Sequence, residues 1–397
     1  MEKQDRLPRI AVIIPTYGRV GGAENVAYQL CERLIQKNQF DIHVLAQKWV
    51  APGSLATFHA IPVWPFPRWM RPISFAAFAK NAVRRGRYDL VHSHERVFDM
   101  DVLSFHGIPH RSWVQDIRKK HMSLFDHATA WVESRGIQSA HTRQILPVSS
   151  LVQKTLVQTY PLCQNKVRIF LPGASIAQFQ KIGPDSETTD FRKRHGIGPT
   201  DVMMLFVGMN FEIKRLDLVI RAMADLGLML AEYRVRLLVV GKGDESPYRN
   251  LASRLGIADR IIFAGISHHM AQSYSAGDFL VMPSRMDTFG LVVLEAMAAG
   301  LPAIISGRVG AADLIVTGEN GLILSDDPSV SELRQAMMRL LDRTVRLRMG
   351  NAAKETAKAH DWDAVADKLA DIYRELLVRK KALFRKISSE ESADSNV

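Results

Sequence analysis

Cysteine is almost missing from this chain. Cys31 and Cys163 are the only two in 397 residues, and they form no CxxC spacing. That argues against a disulfide framework and a structural zinc site, and makes a reducing compartment the default. Long hydrophobic runs are missing as well: no window approaches the roughly 20 apolar residues of a membrane-spanning helix. The opening "MEKQDRLPRIAVIIPTYG" carries mixed charge and then an apolar run only as long as a strand. It lacks the apolar core of a secretory signal. There is no GxGxxG fingerprint and no acid where a dinucleotide fold would place one, which argues against a nicotinamide oxidoreductase.

What is present is globular: 47% hydrophobic and 23% charged residues. The length exceeds one ordinary core and suggests two domains. The net charge of +11 is lopsided. Residues 1–172 hold 23 Lys+Arg against 12 Asp+Glu, whereas residues 173–397 hold 29 of each. A basic first half should seek an anionic partner, whether a membrane surface, an acidic polymer or a nucleic acid.

Apolar runs alternate with amphipathic stretches, twice. "RIAVIIP", "DIHVLAQ", "DLVHSH", "MDVLSFHG" and "ILPVSS" read as strands of a first domain, 1–172, with a helix over 21–38. The pattern restarts at "VMMLFVG" and continues through "RVRLLVVGKG", "RIIFAG", "FLVMPS" and "GLPAIIS" in a second domain, 173–361. Strand–helix alternation with apolar strands predicts an α/β fold of two doubly wound parallel sheets. The last helix, 362–386, is amphipathic with a basic far end and is expected to pack back on the first domain. The polar tail, 387–397, is expected to be disordered.

Ligands of open α/β sheets bind beyond the carboxyl ends of the strands, and three strand-to-helix junctions here are unusual. In "PTYGRVGGAENVAYQL" a helix opens at Gly21 and Gly22. Glycine lets a ligand approach the backbone, and a helix start favours anions; an ordinary turn would use the same residues. In "VGMNFEIKRLDLVI", Lys214 and Arg215 enter a helix just past a strand ending at Gly208. Cations oppose the helix dipole there, unless both face a bound diphosphate, Lys as a point charge and Arg as a fork. The alternative is two solvated surface charges.

The third junction, "PSRMDTFGLVVLEAMAAGLPAI" (283–304), sets Asp287 and Glu295 eight residues apart. A helix from Thr288 or Phe289 to Gly300 would hold the two carboxylates about 12 Å apart on roughly one side. Two carboxylates of a retaining pair sit only about 5 Å apart. The wider spacing suits a long ligand with hydroxyls at both ends and an anion between, held by amides at the helix start. A nucleoside diphosphate-sugar has that shape. Glu295 lies among Leu291, Val292, Val293, Leu294 and Met297, a costly place for an unpaired acid, although an exposed stripe would also accommodate it.

These residues resemble the retaining glycosyltransferases of family 4. The family pattern is an acid, seven residues and then Glu, with Phe-Gly inside and Glu-Ala-Met-Ala-x-Gly-x-Pro following. Here it reads "DTFGLVVLEAMAAGLP". The resemblance extends through the Gly-Gly loop, "DLVHSH", "SFHG", "PVSS", "VRIFLPGASIAQF", "FVGMNFEIKRLD", "VVGKGD", "IIFAGI" and "FLVMPS". It is nearest the lipopolysaccharide-core glucosyltransferases and the phosphatidylinositol mannosyltransferases. It implies the GT-B architecture, two facing Rossmann-like domains with a cleft between them, an acceptor-side domain first and a nucleotide-sugar donor domain second.

By the same resemblance, Glu295 would hold the ribose hydroxyls and Asp287 would contact the donor sugar. Thr288, Phe289, Gly290 and Leu291 would line sugar and diphosphate with backbone amides. Lys214 would bind the diphosphate, Gly208 and Ile266 would line the donor, and Gly21 and Gly22 would form the loop that closes over phosphate and acceptor. Of His92, His94, His106 and His110, the resemblance singles out His106 as touching the donor sugar. Three positions depart from the pattern. The first acid is Asp287, one methylene shorter than the usual Glu. Met209 stands where Arg is usual, with Arg215 as the candidate replacement charge. "LPGA" (171–174) lacks the family asparagine.

Retention at the anomeric carbon is implied, with no metal and no other cofactor. "DMD" (99–101) has DxD spacing but precedes a strand instead of closing one. UDP is the expected donor nucleotide, and a lipid-linked glycan is the expected acceptor. "VWPFPRWMRPISFAAFAKNAVRRGR" (63–87) mixes Trp64, Phe66 and Trp69 with Arg68, Arg71, Arg84, Arg85 and Arg87. "DIRKKHMSLF" and Arg379, Lys380, Lys381, Arg385 and Lys386 add further charge. Aromatics beside cations suit an anionic membrane interface, so a peripheral place on the inner face of the cytoplasmic membrane is expected and nucleic acid is not. A soluble acceptor, or a non-catalytic sugar-nucleotide binder, remains open.

Overall fold

The apolar runs form strands buried on both faces, as parallel sheets require: Ile10, Ala11, Val12 and Ile13 are all fully buried. The computed structural model describes residues 6–180, 186–267 and 270–394. The chain divides into two compact units, Met1–Leu171 with Trp362–Val397, and Pro172–Asp361.

The first unit holds β1 (Arg9–Ile13), β2 (Thr16–Gly18), β3 (Asp41–Ala46), β4 (Lys48–Val50), β5 (Thr57–Ala60), β6 (Leu90–Ser93), β7 (Val102–Phe105) and β8 (Gln144–Pro147). Six make one parallel sheet in the order β5-β3-β1-β6-β7-β8, and β2 pairs with β4 separately. The order reverses between β1 and β6. β2, β4 and β5 are short and partly exposed, so their apolar signal is weak and the sequence reading passed over them.

The last helix, Trp362–Asp394, belongs to this unit. It buries Trp362, Val365, Leu369, Ile372, Tyr373 and Leu376 and packs on the helix Gly22–Gln36. Ion pairs Arg33–Asp363 (3.2 Å) and Lys37–Asp367 (2.5 Å) flank that contact. The tail departs from expectation, because the helix continues through Asp394 where disorder was expected from 387. Glu and Ala are good helix formers, and extending an existing helix is far easier than starting one. The remainder of that expectation, 395–397, lies outside the described residues.

The second unit repeats the plan with β9 (Met203–Val207), β10 (Arg236–Val240), β11 (Ile261–Gly265), β12 (Phe279–Met282), β13 (Ala303–Ser306) and β14 (Gly321–Leu324). The sheet is parallel in the order β11-β10-β9-β12-β13-β14 and reverses between β9 and β12. One face is covered by Leu216–Ala224 and Val330–Leu341, which share a core with Met204, Phe206 and Val281. Leu291–Ala298 packs against Arg343–Lys358. Both units are thus doubly wound α/β sheets, as the alternation of runs predicts.

Candidate functional site

In a doubly wound sheet the crevice opens where the strand order reverses. For the second unit that is beyond Val207 and Met282, where the loops 208–215 and 283–290 emerge. The Arg285 N–H donates to the Ile213 carbonyl at 2.9 Å and ties the two loops together. At that junction Lys214 Nζ forms an ion pair with Asp287 Oδ2, both side chains less than a fifth exposed. Lys214 also lies along Gly208, where a Cβ would stand 3.2 Å from its Cγ.

The loop bearing Asp287 is fixed on its other edge. The Asp287 N–H donates to the Arg308 carbonyl, and its own carbonyl accepts from the Gly310 N–H, both at 2.9 Å. The Phe289 N–H donates to Asp287 Oδ1 at 3.2 Å. Gly290 then turns left-handed (φ 86°) and caps the helix Leu291–Ala298. A Cβ at Gly290 would press on Met282 Cε at 2.9 Å. The helix therefore starts later than expected, and Asp287, Thr288 and Phe289 precede it. Eight helical steps do not measure the separation of the two acids, because an extended, bridged loop carries the first of them. The helix start still offers N–H groups without intrahelical partners at Leu291 and Val292.

Glu295 lies one turn inside that helix and is half-buried. Its Oε2 accepts a hydrogen bond from the Tyr274 hydroxyl at 2.7 Å. Tyr274 is fully buried and meets Phe179 edge-on at 5.5 Å. Burial pushes the Glu295 carboxyl above the usual range, and the Tyr274 hydrogen bond pulls it partly back. Nothing in the sequence singled out Tyr274, since a tyrosine in a short amphipathic helix is ordinary core.

Arg215 and Ile266, also expected to line the donor, do not join the Lys214–Asp287 pair, and Met209 marks the place where the family pattern has Arg. Arg215, at φ 60°, caps the helix Leu216–Ala224, and its guanidinium pairs with Asp327 beyond β14 rather than with the Lys214–Asp287 pair. Ile266 stands exposed past β11, two strands from β9. Met209 is exposed on the loop that carries Lys214.

In the first unit the reversal lies beyond Ile13 and Ser93. Gly21, extended, caps the helix Gly22–Gln36 with no side-chain bond. The Glu24 carboxylate lies beside it, 2.5 Å from where a Cβ would stand. His94 Nδ1 and His106 Nε2 are 2.9 Å apart, with ring planes within 16°. His92, behind them, joins Ser104 Oγ (2.9 Å) and the Tyr373 hydroxyl (2.6 Å). Burial holds His106 down to about 4 and His92 to about 3. Both are neutral imidazoles at pH 7.

The acids of "DMD" are structural. Asp99 pairs with Lys80 at 2.8 Å, and Asp101 accepts from the Val91 N–H and Lys380 Nζ, both at 2.9 Å. Lys380 is thereby withdrawn from the basic surface expected of the last helix. His110 bonds Asp126 at 2.9 Å. Among the described residues, no three His, Cys, Asp or Glu side chains are grouped to hold a metal ion.

The stretch 63–87 does not form one patch. Phe75 is core, while Trp64, Phe66 and Trp69 are exposed at one end of the helix Met70–Gly86. Arg68 and Arg71 accompany the aromatics, while Arg84, Arg85 and Arg87 lie at the other end, roughly 20 Å away. Arg68 stacks over Phe125 at 5.5 Å. Exposed Leu124 is the neighbour of Phe125 in sequence, at the start of the helix Leu124–Ile137. No described helix is long and apolar enough to cross a membrane.

Known proteins resemble this chain over most of its length. Residues 20–178 match the family described as Glycosyltransferase Family 4, and residues 187–356 match Glycosyl transferases group 1. A D-inositol 3-phosphate glycosyltransferase of Corynebacterium efficiens is 30% identical over 324 residues, covering 76% of this chain and 75% of the relative. One of Stackebrandtia nassauensis is 26% identical, covering 92% and 89%. Among solved structures, WaaG, a glycosyltransferase involved in lipopolysaccharide biosynthesis, superposes with a TM-score of 0.77 at 21% identity, covering 91% of this chain and 99% of that one. Anabaena Alr3699/HepE in complex with UDP-glucose gives 0.71 at 16% identity, covering 92% and 99%. Two doubly wound sheets, the acid-x7-Glu junction at the switch point of the second, and family matches over both halves place this chain in glycosyltransferase family 4, with the GT-B architecture.

Proposed function

We propose that the chain transfers a sugar, with retention at the anomeric carbon and without a metal, from a UDP-sugar to a lipid-linked cell-envelope acceptor such as lipopolysaccharide core. The observation that carries the donor half is the Lys214–Asp287 pair at the β9/β12 switch point, followed by a helix start and Glu295. Glu295 takes the ribose hydroxyls. Lys214 and the first N–H groups of Leu291–Ala298 take the diphosphate, and Asp287, released from Lys214, turns to the sugar. Arg215 can leave Asp327 to add charge. The bond from anomeric carbon to phosphate oxygen breaks as the acceptor oxygen bonds the same face. The acceptor's proton passes to the departing diphosphate, whose growing charge Lys214 stabilises.

The acceptor half rests on the exposed Trp64, Phe66 and Trp69 among arginines in the unit that carries the net positive charge, together with WaaG's role in lipopolysaccharide biosynthesis. The relatives' own names favour a second reading, a soluble phosphorylated acceptor such as inositol phosphate. The test is transfer from UDP-glucose to a truncated lipopolysaccharide core and, separately, to inositol 3-phosphate. Lys214→Ala should lower turnover about 100-fold or more, the scale seen when one preorganised charge-stabilising group is removed, whereas Glu295→Ala, which loses ribose binding, should lower kcat/KM through a higher KM. Undiminished kcat/KM in both variants would refute the site, and donor binding without product would mark a non-catalytic binder.

A further inference from the structure

We propose that Tyr274 is the positioning residue for Glu295: its hydroxyl fixes one carboxylate oxygen and so presents the other, Oε1, to the nucleotide ribose. This rests on the reading of Glu295 as the ribose ligand and adds to it the residue that makes the acid a preorganised acceptor. Tyr274 lies in the helix Met270–Ala276, which leads into β12. Glu295 lies in the helix that follows β12. The two side chains, carried by the helices on either side of β12 in the sequence, meet in the 2.7 Å hydrogen bond.

Packing alone does not account for the pair. Tyr274 is fully buried, and its ring already makes its contact with Phe179. A phenylalanine would fill that space without burying a hydroxyl. A buried hydroxyl and a largely buried carboxylate each lose solvation, and here each compensates the other through the 2.7 Å bond. A carboxylate so held cannot swing, and the entropy of fixing it is lost on folding rather than on binding. Burial also favours the neutral acid, which would be a poor acceptor from a ribose diol. The Tyr274 hydrogen bond opposes that protonation.

Tyr274→Phe keeps the ring and removes the bond. Binding of UDP and of 2′,3′-dideoxy-UDP is measured by calorimetry on the full chain, with kcat and KM for UDP-glucose, in the wild type, Tyr274→Phe and Glu295→Gln. UDP should bind Tyr274→Phe about ten-fold more weakly, the scale of one hydrogen bond to a charged group. KM should rise in step while kcat stays within about two-fold, since ribose binding is common to ground and transition states. Dideoxy-UDP should bind the wild type and Tyr274→Phe alike. Equal losses on both nucleotides would make Tyr274 a core residue only and overturn the proposal. UDP affinity lost in Glu295→Gln but kept in Tyr274→Phe would also overturn it, leaving the ribose role of Glu295 intact. Unchanged UDP affinity in Glu295→Gln would remove that role itself.

Discussion

At the scale of residues, burial shifts the protonation of Glu295 in the second unit and of His106 in the first. Burial raises Glu295, and burial lowers His106 to about 4. If Glu295 takes the ribose as proposed, it accepts those hydrogen bonds best when ionised, so donor affinity should decline as pH falls through the raised Glu295 value. His106, neutral well below its ordinary 6.5, should add no inflection between pH 6 and 7. A kcat/KM profile for UDP-glucose from pH 4.5 to 8.5 checks both. The expected form is a single acid limb, moved to higher pH in Tyr274→Phe. A histidine-like step near 6.5 would count against the neutral assignment. Individual roles were the hardest thing to read in advance. Lys214 and Glu295 stood out as candidates because their types clash with their surroundings, a cation near a helix start and an acid in an apolar run. Tyr274 and His94 did not, because a buried tyrosine or histidine earns its role only from the partner that tertiary folding brings.

At the scale of elements, the strands were legible because buried parallel strands are continuous apolar runs. The short edges β2, β4 and β5 were not, and neither was the exact start of Leu291–Ala298. That boundary is set by a left-handed glycine and by bridging to Val309, both tertiary facts. The stretch 63–87 shows the same limit. Its composition suggested one interface, and a helix divides it in two. The aromatic end should carry the membrane contact, since Trp64, Phe66 and Trp69 offer apolar surface and Arg68 and Arg71 attract anionic lipid. In flotation with vesicles containing phosphatidylglycerol, the Trp64→Ala/Phe66→Ala variant should lose most binding. The Arg84→Ala/Arg85→Ala variant should lose much less. Equal losses, or none in the first, would contradict this division.

At the scale of the whole molecule, one unit carries the entire net charge and the other is balanced, a division visible in the sequence before any fold was known. The two units also differ in how the chain builds them. The second is one continuous segment, Pro172–Asp361, whereas the first is completed only by Trp362–Val397. Deleting 362–397 should therefore strip the cover from Leu30, Leu34 and His92 and leave the first unit prone to aggregate. The second unit should keep UDP affinity within a few-fold by calorimetry. A truncated chain whose two units melt as in the full chain would contradict that. The hydrogen bond from His92 to Tyr373 spans 281 residues, and it has a consequence in time. On the ribosome, the first unit emerges ahead of the second and must wait, its histidine cluster unsealed, until the second unit has been made and the last helix returns. The half that begins synthesis is the half that finishes folding.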